Sequence, residues 1–143
     1  MVSRAPAQVR PPRSGIVARP VLPNVILVDD DSLVRTALAR LLRGAGYNVT
    51  AFERAADVLL TLLPKSNTCL VLDIHMPEMT GVALWQELHK RGFAVPTVLI
   101  TGHRDQRSRL MSDQVCAVAL LYKPIEEKEL FEAIEHALAQ PNL

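Results

Sequence analysis

Cysteine is nearly absent from this 143-residue chain: only Cys69 and Cys116 are present, too few for a disulfide framework or a metal knuckle. The bland expectation is that both are small buried apolar residues. No stretch approaches the run of about 18 apolar residues that a membrane span requires. The N-terminus carries arginine but no apolar core segment, which argues against a secretory signal. Net charge is only +1, so no global excess points to nucleic acid or to a membrane surface. A reducing, cytoplasmic setting is the default expectation.

The charge is unevenly spread. Residues 1–24 hold Arg4, Arg10, Arg13 and Arg19 with no acid, and five prolines (Pro6, Pro11, Pro12, Pro20, Pro23). Such a segment buries too little apolar surface to offset its ordering entropy, and it is read as a flexible tail. The remaining residues carry 12 basic and 15 acidic side chains. They are expected to form one domain over residues 25–140.

From Val25 onward, strands and helices alternate. Val25–Val28, Thr68–Leu72 and Thr97–Ile100 are short runs, almost wholly apolar, as expected of strands buried on both faces. Tyr47–Phe52 and Val118–Tyr122 complete five strands. Helices are expected after each: one capped by Ser32, with Asp31 capping or facing water, then Ala55–Leu63, one after Gly81, Asp105–Asp113, and one from about Glu126. Five alternating pairs imply a parallel sheet covered by helices on both faces. Right-handed crossovers with one reversal of winding give the flavodoxin-like strand order 2-1-3-4-5. Ligands in such sheets bind at the carboxyl ends of the strands, at the reversal.

The polar anomalies gather at that edge. Asp29, Asp30 and Asp31 follow the first strand, Asp73 the third, Thr101 the fourth and Lys123 the fifth. Clustered carboxylates repel one another in a partly desolvated site, so a cation is needed, and an all-oxygen donor set suits Mg²⁺. A carboxylate can take a phosphoryl group as an acyl phosphate. The transferring group then needs cationic and hydroxyl partners for its equatorial oxygens. Asp73, alone at the end of the central strand, is the candidate nucleophile. Asp29 and Asp30 are the candidate metal holders, with Thr101 and Lys123 as the partners of the phosphoryl oxygens.

The residues Val28-Asp29-Asp30-Asp31, Leu72-Asp73-Ile74-His75-Met76-Pro77, Gly81, Ile100-Thr101-Gly102 and Lys123-Pro124 resemble the receiver domain of bacterial two-component response regulators. Spacings of 43 residues from Asp30 to Asp73, 28 to Thr101 and 22 to Lys123 match as well. The resemblance implies that Asp73 accepts a phosphoryl group from a sensor histidine kinase or a histidine phosphotransfer protein. It implies Mg²⁺ held by Asp30, Asp73 and the main-chain carbonyl of His75, with Asp29 acting through water. It also implies a cis peptide before Pro124, and a role for His75 and His103 in setting how long the phosphoryl group survives.

The implied product is a switch, which catalyses only its own phosphorylation and dephosphorylation and passes the signal to a protein target or a second copy. No recognition helix for nucleic acid is expected in the chain. A phosphatase of the haloacid dehalogenase type is disfavoured because His75 stands where such enzymes carry a second Asp. A non-phosphorylated binding domain is disfavoured because the five polar positions are intact. A nucleotide-binding domain is disfavoured because no Gly-rich loop follows the first strand. Three departures from the pattern concern signal output: Leu120 stands where many receivers carry an aromatic or His, Cys116 replaces a glycine, and Arg104–Gln114 is unusually polar. Tyr122, two residues past Leu120, shares its side of the strand and could serve instead.

Overall fold

Ten elements alternate strictly along the chain in a computed structural model that describes residues 21–140. They are β1 (Asn24–Val28), α1 (Ser32–Gly44), β2 (Asn48–Phe52), α2 (Ala55–Leu59), β3 (Thr68–Asp73), α3 (Gly81–Lys90), β4 (Thr97–Thr101), α4 (Gln106–Gln114), β5 (Ala119–Tyr122) and α5 (Glu127–Leu138). The strands form one sheet in the order β2-β1-β3-β4-β5, and every pairing is parallel. The flavodoxin-like expectation holds. Most of the Pro/Arg-rich segment, residues 1–20, lies outside the described residues. Pro23 and Asn24, assigned to that segment from the sequence, belong to the sheet: the Asn48 amide donates to the Pro23 carbonyl at 2.9 Å.

Apolar runs in β1, β3 and β4 are explained by two cores rather than one. Successive strand residues point to opposite faces. Val25, Leu27, Val71, Val98 and Ile100 pack with Leu38, Leu42, Leu130 and Ile134 of α1 and α5. Ile26, Val28, Leu70, Leu72 and Leu99 pack with Val58, Val82, Leu84 and Leu88 of α2 and α3. Both faces of the central strands are therefore dry, and their open ends carry the polar residues.

Two local boundaries and the burial of one cysteine differ from expectation. Asp31, not Ser32, caps α1: its carboxylate accepts from the amides of Leu33 and Val34 at 3.0 and 3.3 Å, and its charge complements the helix N-terminus. Helix α2 ends at Leu59 instead of Leu63. Pro64 disfavours helical geometry at Leu63, and the Thr61 hydroxyl donates to the Asp57 carbonyl at 2.7 Å, closing the last turn early. Cys69 is buried as expected, its thiol pushed up to about 12 by burial, but Cys116 is exposed on a loop with φ of 51°. The two residues differ because one lies in the central strand and the other in the turn before β5.

Candidate functional site

Strand β1 delivers Asp29 to the top of the sheet, where it is fully buried. Its Oδ1 accepts from the Asp31 amide at 2.9 Å, and its carbonyl accepts from Arg35 at 2.8 Å. Its Oδ2 faces inward with no hydrogen bond; the Lys123 ammonium lies 3.1 Å away as an ion pair. Strand β3 delivers Asp73, only 2% exposed, whose Oδ2 lies 3.6 Å from the same ammonium. The Asp73 Oδ1 accepts from the His75 amide at 3.4 Å. Asp30, exposed at the rim, completes a trio of carboxylates whose oxygens lie within 4.8 Å of one another.

Thr101 ends β4, the strand next to Asp73, and is fully buried. Its hydroxyl oxygen accepts from the His103 amide at 3.0 Å. Lys123 follows β5, and its backbone amide donates to the Thr101 carbonyl at 2.8 Å. The Lys123–Pro124 peptide is cis. Gly81 opens α3 directly against the strand that holds the nucleophile candidate. Its amide donates to the Ile74 carbonyl at 2.8 Å, and a Cβ there would run into the Asp73 carbonyl oxygen. That close approach, rather than backbone freedom, is what requires glycine.

Electrostatics follow from crowding. Burial, and then the Asp29 carboxylate, push the Asp73 carboxyl up to about 8, although Lys123 pulls in the other direction. Burial alone would lower the Lys123 ammonium, but Asp73 and Asp29 outweigh it and the net direction is upward. The site holds three acids and one ammonium, with one buried carboxylate oxygen left without a hydrogen bond. All the spare donors are hard carboxylate oxygens, and this is the chemistry that Mg²⁺ selects over softer metals.

His75 and His103, expected in flanking loops, stand with ring centroids 4.3 Å apart in an edge-to-face arrangement. Burial and the neighbouring His103 lower the His75 pKa. Leu120 packs on the second core, and Tyr122 lies beneath Arg104, whose guanidinium carbon is 4.3 Å from the ring centroid. Two residues in the site gave no signal in the sequence. Arg35 reads as an ordinary helix-surface charge, and Ser108 sits in the most polar helix of the chain, yet it is fully buried beside Thr101.

The family model described as the response regulator receiver domain matches residues 25–135. The DNA-binding transcriptional regulator NtrC of Escherichia coli K12 is 37% identical over 115 residues, covering 80% of this chain and 24% of NtrC. The response regulator protein TodT of Pseudomonas putida is 35% identical over 114 residues, covering 80% of this chain and 50% of TodT. The chain thus spans between a quarter and a half of these relatives. Among solved structures, FixJ-N superposes with a TM-score of 0.76 at 34% identity, covering 85% of this chain and 98% of that one.

Proposed function

The chain belongs to the response regulator receiver domain family, in which aspartate phosphorylation is inherent, and from that premise we propose that Asp73 is its phosphoacceptor. Receiver domains are phosphoacceptor switches of two-component signal transduction, and this chain carries one across residues 25–135. The observation that carries the residue assignment is the Lys123 ammonium lying 3.1 Å from Asp29 and 3.6 Å from Asp73, within the carboxylate trio.

In the proposed reaction, one Asp73 carboxylate oxygen attacks the phosphorus of a phosphohistidine. An O–P bond forms, the N–P bond breaks, and the imidazole leaves with the electron pair. Lys123 balances the charge of the incoming oxygens, and the Thr101 hydroxyl donates to one of them. Asp30, Asp73 and the His75 carbonyl would hold Mg²⁺, with Asp29 assisting through water. When bound, the ion neutralises the acids and the phosphoryl oxygens together. The donor is a sensor histidine kinase or a histidine phosphotransfer protein. The recipient of the signal is a downstream protein or a second copy of the chain. The chain acts on no substrate beyond its own phosphorylation and dephosphorylation, works in the cytoplasm, and makes no nucleic-acid contact of its own. No described helix is long and apolar enough to cross a membrane.

Incubation with acetyl phosphate and Mg²⁺, followed by intact-mass measurement, tests the assignment. Wild type should gain one phosphoryl mass, and Asp73→Asn none. Equal gain in both variants would move the acceptor elsewhere. The His75 amide donates to Asp73 and the His103 amide to Thr101, and Ala at either position should change the decay rate of the phosphorylated form by about threefold or more. Unchanged decay in both would remove them from the site.

A further inference from the structure

Helix α4 is polar along most of its length, and Ser108 is its one buried residue. The Ser108 amide donates to the Asp105 carboxylate at 2.8 Å, which fixes the first turn of the helix. Its hydroxyl oxygen lies 3.5 Å from the Thr101 hydroxyl and 3.5 Å from Nε2 of His75. One buried serine therefore touches the fourth strand, the loop after the third strand, and its own helix. Among the described residues, it is the one side chain that gives the Thr101 hydroxyl a hydrogen-bond partner.

We propose that Ser108 is a positioning residue that ties Thr101 to α4 in the resting protein and releases the helix when Thr101 turns to a phosphoryl group. The inference rests on Asp73 being the acceptor. A threonine hydroxyl has a single proton, which it can point to one partner at a time. Either hydroxyl can be the donor of the Thr101–Ser108 contact; when Ser108 donates to Nε2 of His75, Thr101 is the donor, and turning its proton to a phosphoryl oxygen on Asp73 gives up Ser108. Both contacts of Ser108 are long for a hydroxyl, hence weak, whereas a hydrogen bond to an anionic phosphoryl oxygen is short and strong. The exchange favours release. The cost falls on α4, because Ser108 is its one fully buried side chain and only the partly buried Met111 otherwise packs it on the second core.

Hydrogen exchange on the full chain tests this, read by mass spectrometry on the peptide covering residues 106–114. Each variant is compared at rest and after acetyl phosphate with Mg²⁺, with phosphoryl mass gain measured in the same samples. In wild type, phosphorylation should speed exchange in this peptide by about threefold or more. Ser108→Ala at rest should already show the faster exchange, with little further change on phosphorylation. Ser108→Cys, similar in size but a poor hydrogen bonder, should behave like Ser108→Ala. Exchange in the peptides from β1 and β3 should stay unchanged, which separates a lost tie from general destabilisation. Phosphoryl gain with the same resting exchange, or the same response, in wild type and Ser108→Ala would overturn the role of Ser108 and leave the acceptor intact. Absence of phosphoryl gain in wild type would overturn both.

Discussion

Asp73 holds its proton where an ordinary aspartate has lost it, because burial and Asp29 both oppose its charge. Its carboxyl titrates near 8 in the fold against an ordinary 3.8. Between those values the folded protein binds a proton that the unfolded chain does not, so stability falls as pH rises through this window and levels off above it. Asp73→Asn removes the titration. Without divalent metal, the variant should therefore melt higher than wild type, with the gap absent near pH 4 and widest near pH 8, where it amounts to about 1–3 kcal/mol. Saturating Mg²⁺ should close the gap by stabilising wild type, because a ligand bound only to the folded state adds to its stability. Melting curves from pH 4 to 8, with and without metal, read this directly; parallel curves for the two proteins would refute it. Such residues were legible because acids, a hydroxyl and an ammonium stand out after apolar strands. Ser108 and Arg35 did not stand out, because a polar side chain in a polar helix looks solvated until the packing is known.

Helix α3 begins against β3 with no room to spare, and this links helix packing to the site. A methyl at Gly81 would press on the Asp73 carbonyl oxygen and the Ile74 Cα, both backbone atoms that cannot swing away. Gly81→Ala should cost about 1–3 kcal/mol by overpacking and slow phosphoryl uptake from acetyl phosphate, because the backbone of Asp73 must shift. Gly44→Ala is the control: it ends α1 in open space, without positive φ, and should be neutral or slightly stabilising with unchanged uptake. Denaturant melts of both variants decide it. Equal stabilities would mean that the start of α3 is looser than its geometry. The positions of the helices followed from the alternation of apolar runs, but their ends did not. Asp31 and Ser32 both cap well, and the choice shows only in the structure, where the extended Asp31 accepts from the Leu33 and Val34 amides while its own amide donates to Asp29. Four leucines after Val58 suggest a longer α2, but Pro64 and Thr61 unwind it, leaving Leu60 and Leu62 84% and 99% exposed.

The order of strands was readable from the sequence, since an alternating chain with right-handed crossovers and one reversal leaves few ways to cover both sheet faces. The location of the first ladder residue was not, because a proline rarely announces that its carbonyl will be used. Pro23 nevertheless accepts from Asn48, and the Asn24 amide donates to the Asn67 carbonyl at 2.8 Å, so the sheet starts there. Upstream of it, Val21 is 84% exposed and Leu22 47%. Among the described residues, both cores are built from side chains between Val25 and Leu138. The family model matches residues 25–135, and on that match we propose that the receiver unit is complete without residues 1–20. Deleting them should leave the melting temperature within about 2 °C of the full chain, well under the shift that 1 kcal/mol causes in a domain of this size. The rate of phosphoryl uptake should also hold, since none of the residues assigned to the site lies in the deleted segment. The deletion removes four arginines and leaves a chain with more acids than bases. A larger loss of stability, one that added salt also produces in the full-length protein, would show instead that the arginine-rich segment stabilises the domain through its charge.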